Sequence, residues 1–360
     1  MKFPQSDVFV VGGGPIGLAA AIAARRKGFR VTLADALEPP IDKACGEGIM
    51  PDGLASAARL GIQLASTDSF SFRGIRFHGE GVSVAADFPN APGLGVRRTT
   101  LHRVLVDQAT RCGVELRWGC SINGLQDIDA KWIVGADGTG SLVRKWAGLS
   151  AVSHDTRRYG FRRHFKVAPW TDCVEIYWGD GCQIYITPVA SDEVGVALLS
   201  SDPKLRVGDA LAQFPALAAK LDGMPESSTE RGALTASRRL TQVTGRNVAL
   251  IGDASGSVDA ISGEGLCLGF HHALALADAM ERRDLSLYES AHRRLSVRPR
   301  FMANLMLTMD RRPWLRKRAL PALASHPDLF RGLLAMHIGV ARKSDIAANC
   351  VALGWRILTI

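Results

Sequence analysis

Residues 8–35 read VFVVGGGPIGLAAAIAARRKGFRVTLAD, and they constrain the fold more than any other part of this chain. An apolar run at 8–11 meets Gly12-Gly13-Gly14-Pro15-Ile16-Gly17, which has the spacing G-x-G-x-x-G. An Ala-rich, helix-forming stretch follows, and a second apolar run at 31–34 ends on Asp35. Strand, glycine turn, helix, strand and terminal acid in this order specify a dinucleotide-binding βαβ unit. Gly12 permits the tight turn out of the strand, where a side chain would clash. Gly14 lets the backbone approach a pyrophosphate, and Gly17 lets the helix lie close to the sheet. The helix N-terminus, with Pro15 in its first turn, offers N–H groups and partial positive charge to phosphates. Gly12, Gly14, Pro15, Gly17 and Asp35 are the cofactor-binding residues expected from this unit, Asp35 accepting from ribose hydroxyls.

The rest of the composition narrows the class. With 47% hydrophobic and 22% charged residues the 360-residue chain reads as folded and not disordered. No run approaches 18 apolar residues, so no membrane span is expected. The N-terminus passes straight into the strand without a signal-peptide core, which places the expected location in the cytoplasm. The seven cysteines are odd in number and scattered, with no CxxC pair. Reduced thiols are expected, with neither a metal site nor a disulfide framework. Residues 281–318 hold eleven Lys/Arg and four acids, a net +7 of the chain's +9. Such a segment is a solvated helical face, or it meets an anionic membrane surface, an acidic carrier protein or a phosphorylated substrate. No nucleic-acid recognition motif accompanies it, so nucleic acid is not an expected partner.

The fold class expected is α/β: a Rossmann-like dinucleotide-binding domain built from discontinuous segments, an inserted antiparallel β-sheet substrate domain, and a helical C-terminal region. Apolar runs ending in acids recur at 131–138 and 247–253. Between them, 158–200 switches to alternation, which predicts four strands of an antiparallel sheet with one covered face. Residues 99–113 read as a helix. From 266 onward the chain reads as helices divided by Pro299, Pro313, Pro321 and Pro327. The boundaries follow: 1–69, 99–157 and 241–282 for the cofactor domain, 70–98 and 158–240 for the substrate domain, and 283–360 for the helical region.

Two further motifs accompany the first: Gly135-Ala136-Asp137-Gly138-Thr139-Gly140-Ser141-Leu142-Val143-Arg144, and Gly252-Asp253-Ala254-Ser255-Gly256 running on to Gly263-Glu264-Gly265. In that order the three resemble the flavoprotein monooxygenase superfamily of para-hydroxybenzoate hydroxylase. The segment Lys43-Ala44-Cys45-Gly46-Glu47-Gly48-Ile49-Met50-Pro51 and the stretch GDASGSVDAISGEG resemble its geranylgeranyl reductase-like branch. The resemblance implies FAD in an extended pose. Asp35 would take the adenosine ribose, Asp253 the ribityl chain, and Arg98 would contact the cofactor. Asp137 would support FAD and pyridine-nucleotide use. The backbone N–H groups of Gly263, Glu264 and Gly265 would face the flavin's pyrimidine edge, where a helix N-terminus favours the reduced anion. Cys45 and Gly46 would lie near the flavin ring. On the residues alone, Asp137 and Asp253 could instead cap turns, and Cys45 could be a packing thiol.

Two departures from the branch stand out. Ala260 replaces a proline, and Cys182-Gln183-Ile184-Tyr185-Ile186-Thr187-Pro188 lacks the aromatic Tyr-x-Trp-x-Phe-Pro motif of prenyl reductases. The WxWxIP signature of flavin halogenases is also absent.

Only one dinucleotide fingerprint is present, so NAD(P)H is expected as a transient reductant that visits the flavin, the alternative being electrons from a separate partner. Three functions compete. The first is an NAD(P)H-dependent monooxygenase hydroxylating an aromatic or hydrophobic small molecule through a flavin C4a-hydroperoxide. The second is an FAD-dependent C=C reductase or dehydrogenase of a lipid-like, prenyl substrate. The third is a flavin-binding protein without enzymatic activity. Tyr159, Arg162, His164, Tyr177 and Tyr185 are the expected substrate-pocket residues, with Cys45, Tyr185 and His164 the catalytic candidates. Peripheral membrane contact through the basic segment is a further expectation, and the oligomeric state is left open.

Overall fold

A computed structural model of the chain describes residues 5–150 and 152–359. Residues 1–4, 151 and 360, and with them the outer ends of the expected first and last segments, lie outside it. The first apolar run forms the strand Ser6–Val11, followed by α1 (Pro15–Arg26) and the strand Val31–Ala34. Strands 6–11 and 31–34 are buried along nearly their whole length, as a parallel strand covered on both faces must be. They sit in a six-stranded sheet in the order Thr244–Gly245, Val248–Leu250, Ala130–Gly135, Ser6–Val11, Val31–Ala34, Glu115–Arg117. Val8 pairs with Val31 on one side and Trp132 on the other, and Ile133 with Val248, all in parallel. Because these strands run the same way, the acids that end them, Asp35, Asp137 and Asp253, emerge at one edge. That edge is where open α/β sheets bind ligands.

Helices α2 (Pro51–Arg59), α3 (Arg98–Arg111) and α4 (Leu142–Trp146) belong to this layer, and α3 packs on α1. A second, eight-stranded sheet runs Gly256–Ser257, Arg231–Leu240, Val152–Phe165, Glu193–Ser200, Cys182–Ala190, Cys173–Trp178, Gly74–Gly79, Val82–Asp87. The four expected strands of 158–200 are there and pair antiparallel. The expected single covered face is corrected. Strands 182–190 and 193–200 are buried on both faces. Short helices α5 (Val207–Leu211) and α6 (Pro215–Leu221) put Val207, Leu217 and Leu221 against Ile184, Val196 and Leu198 on one side. The cofactor layer and the C-terminal helices cover the other.

The C-terminal region comprises α7 (Gly265–Glu281), α8 (Leu285–Arg311), α9 (Pro313–Ser325), α10 (Pro327–His337) and α11 (Lys343–Thr359). Pro313 and Pro327 open helices, where a missing N–H costs nothing. Pro299 and Pro321, expected as boundaries, lie inside α8 and α9 instead. Around Pro299, α8 buries Met302, Ala303, Met306 and Leu307, and this apolar stripe outweighs the ~3 kcal/mol that an interior proline costs. α9 and α10 pack on the strand Val82–Asp87, which closes the helices over the second sheet. No helix among the described residues is long and apolar enough to cross a membrane. Cys45, Cys112, Cys120, Cys173, Cys182 and Cys267 are free thiols, while the side chain of Cys350 lies outside the described residues.

Candidate functional site

The three motifs meet around one cavity of ≈ 840 Å³ between the two sheets. Gly12, Gly14, Pro15, Asp35, Cys45, Gly46, Arg98, Asp137, Gly252, Asp253, Gly263 and Gly265 line it. Gly12 adopts φ +111°, and a Cβ there would lie 2.4 Å from the Ala136 carbonyl oxygen, so only glycine lets the two motif turns cross. Gly17 is not in the wall. A Cβ at Gly17 would lie 1.9 Å from the Gly12 carbonyl oxygen, so this glycine serves the packing of α1 on the turn.

The acids divide their work. Asp35 accepts from the N–H groups of Gly13 (2.6 Å) and Leu37 (2.8 Å), holding the glycine turn against the second strand. Asp137 accepts from Ser141 Oγ (2.5 Å) and from the N–H groups of Leu142 (2.7 Å) and Val143 (3.1 Å), so its carboxylate caps α4. It holds this place while also lining the cavity. Asp253 turns into the cavity, 2.8 Å from Lys43 Nζ and 3.3 Å from Thr139 Oγ1. Burial pushes the Asp253 carboxyl up, but Lys43, Thr139 and the Arg98 charge together hold it below its ordinary value. Arg144 donates to the carbonyls of Ala254 (3.0 Å) and Thr139 (2.8 Å), stitching the second motif to the third.

At α7 the Gly263 N–H departs from the expectation, and the Glu264 side chain has a place of its own. Gly263 and Gly265 line the cavity, but the Gly263 N–H is committed to the Ala260 carbonyl (3.0 Å), and Glu264 is turned away from the cavity. Its side chain is 3% exposed, 3.9 Å from Arg298 Nε and 3.6 Å from His337 Nδ1. Burial pushes Glu264 up to about 8, with Arg298 opposing and Asp52 reinforcing, and burial brings His337 down to about 4. The Glu264 carboxyl and the His337 imidazole face each other beside α7, and burial disfavours the charged form of both.

On the second-sheet side, Arg162 and Tyr185 line the cavity, whereas Tyr159, His164 and Tyr177 do not. Alternation sends Tyr177 to the opposite face, where its hydroxyl donates to Glu175 (2.8 Å) and its ring stacks on His78. Tyr185 donates to the Ile261 carbonyl (2.7 Å), and burial pushes its phenol up, which leaves its ring as a wall and not a proton donor. His164 is fully buried behind the wall. Its Nε2 lies 2.5 Å from Glu47 Oε2 and its Nδ1 2.7 Å from Ser228 Oγ. Arg162 Nη1 lies across that ring, 3.0 Å from Nδ1, while Nη2 donates to Asp42 (2.6 Å). Glu47 does line the cavity, and its other oxygen accepts from the Arg98 N–H (2.8 Å). Glu47 was invisible as a site residue in the sequence. It sits at φ +59° between Gly46 and Gly48, a left-handed position where a side chain is uncommon. Cys45 lines the cavity, and its Sγ accepts from the Glu47 N–H (3.4 Å).

A second, narrower cavity of ≈ 70 Å³ lies among α8 to α11. Ile75, Ile176 and Ser262 line both cavities, and apart from Ser262 and His337 its wall is apolar.

The residues fit FAD. The volume is that of a large ligand. A Cβ at Gly14 would meet no protein atom within 4 Å, which leaves room against the α1 N-terminus for a pyrophosphate. The buried Arg98 Nε has no partner among the described residues, although Arg98 lines the cavity. Asp35 and Asp253 both line the same cavity.

The comparisons agree with this geometry. A menaquinone reductase of Mycobacterium tuberculosis is 27% identical, over 98% of this chain and 95% of its own. A putative 2-heptyl-3-hydroxy-4(1H)-quinolone synthase of Rhodococcus erythropolis is 28% identical, over 89% of this chain and 93% of its own. The crystal structure of a flavoprotein/dehydrogenase from Cytophaga hutchinsonii superposes with a TM-score of 0.82 at 17% identity, covering 99% of this chain and 98% of that one. The family model described as FAD binding domain matches residues 5–127 and 121–283, the segments that build the large cavity. On that match, the chain belongs to the FAD binding domain family and is an FAD-dependent oxidoreductase.

Proposed function

We propose that this oxidoreductase reduces a carbon–carbon double bond in a lipid-like substrate, with NAD(P)H as the transient reductant of the bound FAD. The observation that carries the reading is the narrow apolar cavity among the C-terminal helices, which shares Ile75 and Ile176 with the large cavity. A reacting group beside Cys45 and Arg162 could trail an apolar tail past those two isoleucines. The menaquinone reductases among the relatives support the reading.

FAD, when bound and reduced by NAD(P)H, would supply the hydride. The chain must supply the proton, exclude water and orient the substrate. Glu47 is the group placed to hold that proton at the cavity wall, and His164 stands 2.5 Å behind it to replace it. Half-buried Ser228 closes the line on the outer side. Arg162, fixed by Asp42, offers a polar anchor for a substrate oxygen.

The test is NAD(P)H consumption without oxygen, using an isoprenoid quinone and the purified holoprotein. The expected result is turnover that persists anaerobically and a product that keeps two added hydrogens in its tail after the ring is reoxidised to the quinone. The quinolone synthase relative and the Arg162 anchor favour a second reading, hydroxylation of a tailed ring. That reading requires oxygen and a product with one added oxygen atom, and such a result would replace the first.

A further inference from the structure

We infer that the outer face of α8 and the start of α9 form a docking surface for an anionic lipid bilayer. The inference goes beyond the reaction proposed above and does not depend on it.

The basic segment sorts its charges by direction. Glu289 accepts from the N–H groups of Val243 (2.9 Å) and Thr244 (3.1 Å), and Asp310 lies 3.3 Å from buried Arg158. Asp284 caps α8 through the Ser286 N–H (2.8 Å), and Glu281 pairs with Lys27 (2.7 Å). Each acid is thus engaged within the protein. Arg293, Arg294, Arg311, Arg312 and Lys317 are exposed.

Large apolar side chains stand among these cations. Val297 is 66% exposed, Phe301 45% and Trp314 54%. Val297 and Phe301 are one turn apart on α8, with Arg293 and Arg294 a turn earlier. Trp314 follows Arg311 and Arg312 with only Pro313 between, and Lys317 comes a turn later on α9. Aromatic and aliphatic side chains interleaved with Lys and Arg suit the boundary between headgroups and acyl chains, where the rings leave water and the cations meet lipid phosphates.

This face is also continuous with the apolar cavity. Leu305, one turn beyond Phe301, and Leu315, next to Trp314, are half-buried and line that cavity. A tail leaving the bilayer here would reach Ile75 and Ile176 without crossing water. A second copy of the chain is a poor occupant, because it brings the same cations against these and carries the same +9.

The test is co-sedimentation of the FAD-loaded protein with vesicles of pure phosphatidylcholine or of phosphatidylcholine containing phosphatidylglycerol, with no substrate present. The expected result is at least about tenfold stronger binding to the phosphatidylglycerol vesicles, lost in high salt. Phe301→Ser with Trp314→Ser should weaken it about tenfold or more, and Arg311→Glu, Arg312→Glu, Lys317→Glu together should abolish it. Retained FAD absorbance and circular dichroism verify folding, and Trp314→Phe should restore binding in a correctly folded protein. The inference is overturned by wild-type protein that ignores anionic vesicles, or by folded variants that bind as well as wild type. It is equally overturned by a wild-type dimer that Trp314→Ser converts to monomer, or by an acidic polypeptide that binds this face while vesicles do not. Because no turnover is measured, failure here leaves the anaerobic test of reduction standing.

Discussion

At the scale of single residues, Glu47 and Glu264 show what an isolated acid can reveal. Glu47 occupies a left-handed backbone position flanked by glycines, a conformation that costs of order 1 kcal/mol or more for a residue with a side chain. Its carboxylate holds the Arg98 N–H on one oxygen and His164 on the other. Glu47→Gln keeps the shape and removes the exchangeable proton. Turnover should fall by about 10²-fold or more while FAD content and melting temperature stay near wild type. A variant with normal turnover would remove Glu47 from proton delivery. Glu264 makes a different prediction. Its carboxyl ionises near 4.5 in the unfolded chain and at about 8 in the folded one. The folded state therefore binds more protons between those values, and the contribution to stability present at low pH is lost as pH rises toward 8. Denaturant titrations from pH 5 to 8 should show wild type losing ground to Glu264→Gln, by at most about 1.4 kcal/mol per pH unit. Parallel curves would mean that Glu264 is ionised in the fold. The two acids also mark how far the sequence was readable. Gly12, Asp35 and Asp253 carry their meaning within local motifs. Glu47 acquires its partner His164 from 117 residues away, through the second sheet, and no local pattern announces that pairing.

Among elements, the turns after strands 130–135 and 248–250 are held to each other by the Thr139–Asp253 contact and, most firmly, by one arginine. Arg144 sits on α4, is 6% exposed, and bridges the carbonyls of Thr139 and Ala254. α4 is in turn capped by Asp137, so strand end, cap, helix and arginine form one unit that aims the third motif at the cavity. Arg144→Ala leaves the Ala254 carbonyl without its charged donor, while the Thr139 carbonyl keeps Arg238 (2.9 Å), and the expected loss is about 1–3 kcal/mol. Bound FAD should be released at a lower temperature than the protein unfolds, as read by flavin fluorescence against circular dichroism. Coincident transitions would place Arg144 in global packing alone. The motif spelling GADGTGSLVR was legible in the sequence as a cofactor motif, but not as a clamp between two turns. Strand type was legible from alternation, yet the second cover over strands 182–190 and 193–200 was not. Short helices α5 and α6 supply it from a segment with no strong periodic signal. The helix boundaries set by Pro299 and Pro321 failed for a related reason, since burial against distant elements overrode a local penalty.

Across the whole molecule, the cofactor layer, the second sheet and the C-terminal helices each give wall residues to the narrow cavity, which shares Ile75, Ile176 and Ser262 with the large one. Ile75 and Ile176 come from the second sheet, Met302, Met306 and Met309 from α8, and Ala319 and Leu323 from α9. Methionines dominate the α8 wall, and their unbranched side chains can yield to a flexible tail. Ala319 is 2% exposed and faces the narrow cavity, so Ala319→Leu adds three carbons where a tail would pass. Overpacking of this size costs about 1–3 kcal/mol, which a melting curve would register. The large cavity holds no atom of residue 319 in its wall, so FAD affinity and the rate of reduction by NAD(P)H should be unchanged. KM for a substrate with a long isoprenoid tail should rise about tenfold or more, whereas a short-chain analogue with the same reacting group should be processed as before. Equal effects on both substrates would mean that the tail runs elsewhere. An effect on FAD reduction would mean that the C-terminal helices control the cofactor and not the substrate. The selective outcome ties the helices to substrate length, because Ala319 shares the apolar wall with half-buried Leu305 and Leu315 and takes no part in the large cavity.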